Sequence, residues 1–139
     1  DLEHDRTGER MDWITPVIAI GNYKDAAAVT ADVASSVICL KGCCNPDRTD
    51  LDVYVIPLID GPGNAPAIFD EAVELLCDLA MDGERVLVHC HAGQSRSACV
   101  VIASLVKSAG LSLGAATAKV KAKRRIYLSD GIRDHLLRY

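Results

Sequence analysis

The chain has 139 residues, 50% of them hydrophobic, and its formal net charge at pH 7 is −4. This length allows one domain with a real hydrophobic core, so a largely disordered chain is excluded. The acidic balance argues against a protein that coats nucleic acid, and no apolar run is long enough to cross a membrane. We therefore expect one globular, cytoplasmic domain without nucleic-acid or membrane partners.

The chain begins with a polar, charged stretch, residues 1–10, which we expect to be flexible and to precede a folded domain over residues 11–139. In the first half of that domain, short apolar runs alternate with turn signals. Asp25 can cap a helix over residues 26–34. Strands are predicted over residues 14–20, 37–40 and 53–59. The last of these runs is apolar almost throughout, which is typical of a strand covered on both faces.

Helical patterns dominate the second half. A helix is predicted over residues 66–81, with one apolar face formed by Ile68, Ala72, Leu75, Leu76 and Leu79. A strand over residues 85–89 leads into an apolar helix that Gly110 ends. Ser112 caps a further helix, and a short helix follows over residues 131–138. The alternation of strands and helices predicts a single-domain α/β fold, with a mostly parallel central sheet flanked by helices.

The six cysteines follow neither a zinc pattern nor a disulfide framework. Cys77 and Cys99 fall in predicted helices, where small buried side chains are expected. Cys39 lies in a predicted strand, and Cys43 and Cys44 are neighbours in the loop that follows it. We predict a reduced chain without a metal site, and a redox role of Cys43 or Cys44 stays open.

The stretch of residues 86–97 carries the main functional signal. A buried strand ends at His89, an apolar helix follows Arg96, and five small or polar residues separate Cys90 from Arg96. Backbone amides at a helix N-terminus form an anion site together with the helix dipole, and an arginine fork suits phosphate. Gly93 allows a tight backbone turn. In such an electropositive site a thiol ionises near neutral pH, and a thiolate that faces phosphate is a nucleophile.

At these residues the chain resembles a known family. The string His-Cys-His-Ala-Gly-Gln-Ser-Arg-Ser at residues 89–97 is similar to the signature of cysteine-dependent protein phosphatases, and in particular of their dual-specificity branch. Residues 18–26 resemble the family's opening strand and turn, and residues 56–60 its acid-bearing segment. Residues 124–132 resemble its late Arg…Gly-Phe segment, although Leu128, Ser129 and Ile132 replace the usual Pro, Asn and Phe. The resemblance implies that residues 11–139 are a phosphatase catalytic domain.

The resemblance also implies a role for each site residue. Cys90 attacks phosphorus and forms a cysteinyl-phosphate, and Ser97 eases the departure of its sulfur in the second step. His89 braces the loop from the strand. Arg124 is expected at the substrate rim, and Asn64 is expected either to contact substrate there or to orient the loop in which it lies. The phosphate is bound by the loop residues His91, Ala92, Gly93, Gln94, Ser95 and Arg96.

Asp60 is the candidate general acid. Expulsion of an alkoxide or phenoxide requires a proton, which a carboxyl group within hydrogen-bond reach supplies. Asp60 ends one predicted strand and Cys90 follows another, and sites in α/β sheets gather at the carboxyl ends of strands. An Asp-Gly pair alone is more typical of a turn, and the resemblance favours the catalytic role. Asp50 and Asp52 are the runners-up.

The leading hypothesis is a monomeric protein phosphatase that hydrolyses phosphotyrosine and also phosphoserine or phosphothreonine, without a metal or other cofactor. The same chemistry on an RNA 5′-phosphate, a phosphoinositide or a phosphosugar is the alternative. The negative net charge weighs against RNA, and the absence of lysine at His91 and Gln94 weighs against phosphoinositides. A non-catalytic phosphate-binding module and a rhodanese-type sulfur-transfer domain are weaker hypotheses. The basic run at residues 119–125 is either a solvated helix face or a rim that steers phosphorylated substrates.

Overall fold

The computed structural model describes residues 11–42 and 48–139. Within these ranges, five strands form one sheet in the order β1–β2–β5–β3–β4. Their bounds are β1 (Asp12–Trp13), β2 (Ile18–Gly21), β3 (Ser36–Cys39), β4 (Asp52–Val55) and β5 (Val86–His89). The pairs β2–β5, β5–β3 and β3–β4 are parallel, and β1 runs antiparallel to β2. The mostly parallel sheet predicted from the sequence is confirmed.

Helices cover both faces of this sheet. They are α1 (Tyr23–Ala28), α2 (Pro66–Met81), α3 (Arg96–Ala109), α4 (Leu113–Lys123), α5 (Asp130–Arg133) and a terminal 3₁₀ helix (Asp134–Arg138). The predicted bounds of α2 are confirmed. Gly110 ends α3 in the left-handed region at φ 71°, and the Ser112 hydroxyl accepts a hydrogen bond from the amide of Ala115 at the start of α4. Local capping chemistry therefore sets both of these helix ends where the sequence places them.

The core centres on β5 and α3, the two elements that flank the Cys90 loop (residues 90–95). All four residues of β5 are buried between β2 and β3. In α3, every residue from 97 to 105 is buried, so the helix is enclosed by α2, α4 and the sheet. Burial on all sides fixes the axis of α3 relative to β5. The Cys90 loop is thereby held at both of its ends by the most rigid part of the molecule.

The N-terminal region departs from the predicted strand over residues 14–20. Only residues 18–21 continue the parallel sheet, because Thr15 and Pro16 make a turn after β1. The hydroxyl of Thr15 accepts hydrogen bonds from the amides of Val17 and Ile18, at 3.1 and 3.0 Å. These local bonds replace the ladder bonds that a longer strand would make.

The first helix is also shorter than predicted, and it begins earlier. Asn22 is its N-cap and Asp25 is its third residue, and the two form a reciprocal capping box. The helix ends at Ala28 rather than at residue 34. The predicted cap, Asp25, therefore acts from inside the first turn.

The predicted strand over residues 53–59 is wrong in length and in environment. β4 covers residues 52–55 at the edge of the sheet, and its residues are half-buried or exposed rather than covered on both faces. Pro57 has no amide proton to donate to the ladder. The amides of Ile56 and Leu58 still bond to the carbonyls of Cys39 and Leu40, at 2.9 and 3.0 Å. The chain thus follows β3 toward Asp60 without continuing as a regular strand.

The buried face of α2 is rotated from the predicted one. Ile68 is 38% exposed. The buried residues are Phe69, Ala72, Val73, Leu76 and Cys77. Both sets have helical spacing, and the structure selects the one that buries the single phenylalanine of the chain, whose ring stacks on His135 at 5.0 Å between centroids.

Cysteine chemistry departs from the sequence-based expectation at one position. Cys77, Cys90 and Cys99 are free thiols, whereas Cys39 is disulfide-bonded. The prediction of a fully reduced chain, which rested on a core that needs no stabilising disulfide, is therefore wrong at this position. The predictions for Cys43, Cys44 and residues 1–10 fall outside the described residues. Within the described part of the chain, no helix has the length and apolarity of a membrane span.

Candidate active site

The Cys90 loop turns at the carboxyl end of β5 and returns into α3. Gly93 is the sharpest point of this turn, with φ at 69°. A Cβ atom there would lie 2.5 Å from the carbonyl oxygen of Gly21 and 2.6 Å from the guanidinium of Arg124. A larger residue at this position therefore meets both a backbone conformation and a space that exclude it.

Cys90 lies at the bottom of the loop. It is 2% exposed, and its Sγ atom is 3.3 Å from the Oγ atom of Ser97. Burial alone would raise the pKa of the Cys90 thiol, but the hydroxyl and amide of Ser97, the amide of Gly93 and the charge of Arg96 together lower this pKa below its ordinary value. The arrangement thus favours a thiolate that is buried and supplied with hydrogen-bond donors.

Arg96 begins α3 and reaches across the carboxyl edge of the sheet. Its Nη1 atom donates to the carbonyl of Leu58 at 3.1 Å and to that of Leu40 at 3.4 Å. Its Nε atom is buried and, among the described residues, is the one buried side-chain nitrogen or oxygen without a hydrogen-bond partner. A buried guanidinium donor left without a partner is costly, so this atom points to an anionic ligand.

A cavity of about 130 Å³ joins these groups to Asp60. Its walls contain Asp60, Cys90, Arg96 and Tyr127, and most of the remaining lining comes from the Cys90 loop. A nucleophile, a guanidinium and a carboxyl group thus face one small space. This combination can transfer a phosphoryl group to sulfur and protonate the oxygen that leaves. The sequence placed these three residues together, although 30 residues separate Asp60 from Cys90 (90 − 60).

Asn64 holds the Asp60 loop (residues 60–65). Its Oδ1 atom accepts from the amide of Ile59 at 2.7 Å, and its Nδ2 atom donates to the carbonyl of Ile59 at 2.8 Å. Both the oxygen and the nitrogen of the Asn64 side chain therefore bond to the backbone of Ile59, and the side chain does not line the cavity. Of the two roles considered for Asn64, the geometry supports orientation of the loop.

Arg124 is turned inward, which contradicts its expected place at the substrate rim. It is 7% exposed, its Nε atom donates to the carbonyl of Gly93 at 2.7 Å, and its Nη1 atom bonds the Asp12 carboxylate at 2.9 Å. The guanidinium thus ties β1 to the back of the Cys90 loop. Asp12 carried no sequence signal for this contact, because 112 residues separate it from Arg124.

His89 and Ser95 support the loop from within. The Nδ1 atom of His89 is 3.2 Å from the carbonyl oxygen of Cys90, and burial lowers the pKa of this imidazole, which favours its neutral form. The hydroxyl of Ser95 accepts from the amide of Ser129 at 3.0 Å. The brace predicted for His89 agrees with this contact, while Ser95 also fastens the loop to the segment before α5.

The mouth of the cavity has aromatic groups on its rim. The ring of His91 stacks on that of Tyr23 with centroids 4.7 Å apart, and the Nζ atom of Lys41 lies 4.7 Å from the centroid of the Tyr23 ring. Tyr127 also lines the cavity and is 73% exposed. Sequence reasoning identified His91 but missed Tyr23, Lys41 and Tyr127, because a contact at the start of a helix or in a loop carries no periodic signal.

Comparison with known proteins decides the family. Residues 31–139 match the family model of the dual specificity phosphatase catalytic domain. The chain belongs to the dual-specificity phosphatase family. This membership confirms the family that the sequence resembles.

This chain also matches individual dual-specificity phosphatases over most of its length. It is 34% identical over 126 residues to dual specificity protein phosphatase 1 of Arabidopsis thaliana, a match that covers 84% of this chain and 64% of the relative. It is 31% identical over 103 residues to dual specificity protein phosphatase 22 of Homo sapiens, covering 71% of this chain and 56% of the relative. The chain therefore spans about three fifths of the length of these relatives.

Solved structures share the fold. The human tyrosine phosphatase-like serine/threonine/tyrosine-interacting protein superposes with a TM-score of 0.82 at 26% identity, covering 94% of this chain and 95% of that one. Human DUSP28 gives a TM-score of 0.82 at 23% identity, covering 93% and 91% of the two chains. The dual-specificity phosphatase architecture thus accounts for nearly the whole chain.

Proposed function

We propose that this domain, over residues 11–139, hydrolyses phosphotyrosine and phosphoserine or phosphothreonine in proteins through a cysteinyl-phosphate. The observation that carries the proposal is the cavity of about 130 Å³ that Cys90, Arg96 and Asp60 share. Its volume suits a phosphoryl group, and its partnerless buried donor, the Nε atom of Arg96, suits an anion. Family membership supports the same chemistry.

In the first step the Cys90 thiolate attacks phosphorus, and the P–O bond to the substrate breaks. Asp60 gives its proton to the departing oxygen, so that a neutral alcohol or phenol leaves. Arg96 and the amides of the Cys90 loop hold the non-bridging oxygens while charge moves from sulfur toward the leaving group. The product is a cysteinyl-phosphate and an ionised Asp60.

In the second step Asp60 accepts a proton from water, and the oxygen of that water attacks phosphorus. The S–P bond breaks, inorganic phosphate forms, and the electron pair returns to the Cys90 sulfur. The Ser97 hydroxyl, 3.3 Å from that sulfur, can donate a hydrogen bond to the thiolate as it leaves. The cycle ends with a protonated Asp60 and a thiolate, ready for another substrate.

The shape of the mouth supports phosphoproteins with more than one kind of phosphorylated residue. A cavity of about 130 Å³ accommodates the phosphoryl group and leaves the rest of the residue at the rim. A shallow site of this kind does not require the length of a tyrosine side chain. Among the described residues that line the cavity, Arg96 is the strongly basic one and none is a lysine. This lining gives little support to highly charged inositol phosphates as substrates.

A hydrolysis panel tests the proposal. Phosphotyrosine, phosphoserine and phosphothreonine peptides are compared with an inositol lipid and a triphosphorylated RNA, for the native chain and for Cys90→Ser. We expect hydrolysis of the three peptides and loss of activity by at least about 10³-fold in the variant, because a hydroxyl is not ionised at neutral pH. Full activity of Cys90→Ser would refute the mechanism, and hydrolysis of the lipid or the RNA alone would refute the substrate class.

Asp60→Asn separates the general acid from the binding groups. The variant keeps a polar side chain of the same size but cannot supply a proton. We expect a larger loss on an alkyl ester, such as phosphoserine, than on an aryl ester, because the alkoxide is the poorer leaving group. Equal losses on both esters contradict the role of Asp60 as the acid.

A further inference from the structure

A groove of about 550 Å³ adjoins the catalytic cavity. Its walls are formed by α4, by the segment that follows it and by the end of the chain. Most of its lining is apolar, from Leu113, Ile126, Leu128, Leu136 and Leu137. Leu136 is 3% exposed and belongs to the core, whereas Leu137 is 77% exposed. The groove thus has a buried base and a solvent-exposed, apolar edge.

Tyr127 belongs to both the groove and the catalytic cavity. Its amide donates to the carbonyl of Gln94 at 2.9 Å, and two residues later the amide of Ser129 donates to the hydroxyl of Ser95 at 3.0 Å. The backbone on each side of the Tyr127 ring is therefore fastened to the Cys90 loop. This anchoring fixes the groove relative to the phosphate, and a polypeptide held at the phosphate can continue past the ring into the groove.

The position and the charge of the groove favour a segment of the substrate as its occupant. Two basic residues, Lys121 and Arg133, and one acidic residue, Asp134, line it, so its charged lining is basic by one residue. A phosphorylated peptide brings its negative charge to the neighbouring catalytic cavity, which shares Tyr127 with the groove. Apolar walls beneath a basic rim therefore match a phosphopeptide with an apolar neighbour.

We propose that this groove binds an apolar side chain of the phosphoprotein substrate that lies close in sequence to the phosphorylated residue, with the Tyr127 ring between the two sites. The inference rests on the proposed function and adds a sequence preference to it. Apolar burial in a pocket contributes roughly tenfold or more in kcat/KM for a side chain of leucine size. The catalytic cavity recognises the phosphoryl group, and this groove discriminates among phosphoproteins by an apolar side chain near that group.

The test is a peptide scan combined with two matched variants. Phosphotyrosine peptides carry one leucine, moved in turn through the positions on either side of the phosphorylated residue, against a serine-only background. Each peptide and a small aryl phosphate are assayed with the native chain, Leu137→Gln and Met81→Gln. Met81, 80% exposed, is a matched exposed apolar residue at the end of α2, remote from the groove.

We expect leucine at one position to raise kcat/KM about tenfold, and Leu137→Gln to reduce that preference by about threefold or more. Met81→Gln keeps the preference, and all three proteins hydrolyse the aryl phosphate equally. Peptide hydrolysis without any leucine preference overturns the inference and leaves the proposed function intact, as does a preference that Leu137→Gln does not change. If the aryl phosphate is hydrolysed and no peptide is, both fail. A dimer that Leu137→Gln dissociates would assign the groove to a second copy instead.

Discussion

At the scale of single residues, the site depends on opposing effects at one sulfur atom. Burial of Cys90 disfavours its charge, but three hydrogen-bond donors and the charge of Arg96 outweigh that burial, so that the pKa of the thiol is lowered. Cys99, in the first turn of α3, is buried without such donors, which raises its pKa to about 12. Two buried thiols in one protein therefore differ in reactivity because of their hydrogen-bond partners.

This contrast predicts the effect of Ser97→Ala on thiol reactivity. The substitution removes the hydroxyl that is 3.3 Å from the Cys90 sulfur, so the pKa of the thiol rises. Because the thiolate is the reactive form, the pH midpoint of Cys90 alkylation by iodoacetamide moves upward, by about one unit for the loss of one such hydrogen bond. The rate is measured by mass spectrometry of the modified peptide.

Ser104→Ala is the matched control for this measurement. Ser104 is a buried serine of the same helix, and its hydroxyl donates to the carbonyl of Val101 at 2.7 Å, away from Cys90. The control is expected to keep the native midpoint. An unchanged midpoint in Ser97→Ala, with the fold intact by circular dichroism, would show that the hydroxyl does not stabilise the thiolate.

At the scale of elements, a contact between α5 and the Asp60 loop sets the position of the acid. Gly131 lies in α5, and a Cβ atom there would be 2.0 Å from the amide nitrogen of Pro62 and 2.3 Å from the carbonyl carbon of Gly61. Both neighbours are backbone atoms, so they cannot give way by a change of rotamer. The helix backbone and the loop backbone are therefore in direct contact, one residue away from Asp60.

Gly131→Ala should accordingly displace the Asp60 loop. A shift of about 1 Å in a catalytic group can cost on the order of 10²-fold in rate, and we expect a loss of that size in kcat on alkyl esters. Affinity for inorganic phosphate should change little, because Cys90 and Arg96 are not moved. Both quantities are measured on the same preparation, kcat by phosphate release and affinity by product inhibition.

Gly114→Ala provides the comparison for this variant. A Cβ atom at Gly114 would meet nothing within 4 Å, and alanine favours the helix in which that residue lies. This variant is expected to keep native kcat and to be slightly more stable. If Gly131→Ala retained native kcat on alkyl esters, the α5 contact would not be what positions the acid.

The elements also show where sequence reasoning succeeds. The bounds of α2, the end of α3 at Gly110 and the start of α4 at Ser112 were predictable, because Pro, Gly and Ser act through local geometry. The grouping of Cys90, Arg96 and Asp60 was accessible once the family resemblance had favoured Asp60 over a simple turn residue, since strand ends meet at one edge of a parallel sheet. Features that depend on contacts between distant parts of the chain could not be predicted from the sequence.

Three errors have one physical origin. The rotation of α2 depends on which stripe meets the sheet, the exposure of β4 depends on its edge position, and the inward turn of Arg124 depends on the distant carboxylate of Asp12. Each depends on a tertiary neighbour that neither periodicity nor spacing encodes. The same is true of Tyr127, whose position at the mouth follows from its bond to Gln94.

At the scale of the whole molecule, the end of the chain is fastened to α2. Arg138 bonds both carboxylate oxygens of Asp70, at 2.9 and 3.0 Å, and the Tyr139 hydroxyl donates to the same carboxylate at 2.5 Å. The ring of Tyr139 also packs edge-on against Phe69. This cluster closes the 3₁₀ helix over the core, and that helix carries Leu136 and Leu137 into the groove wall.

The Asp70–Arg138 pair predicts a dependence of stability on pH. The hydrogen bonds from Arg138 lower the pKa of Asp70 below its ordinary value, so the folded state favours the ionised carboxylate. That contribution is complete above the ordinary carboxyl pKa, about 3.9, and is lost as the pH falls through the lowered folded value. Because both side chains are 39% exposed, solvent limits the contribution to about 1 kcal/mol.

Arg138→Ala should therefore lower the free energy of unfolding by about this amount at pH 7, and the difference from the native chain should shrink below pH 3. Urea titration at both pH values measures it, with Arg133→Ala as the control, since Arg133 pairs with an Asp130 that is 89% exposed and should give almost no difference at either pH. A difference for Arg138→Ala that stayed constant with pH would mean that the residue stabilises the chain end by packing on Tyr139 rather than by its charge.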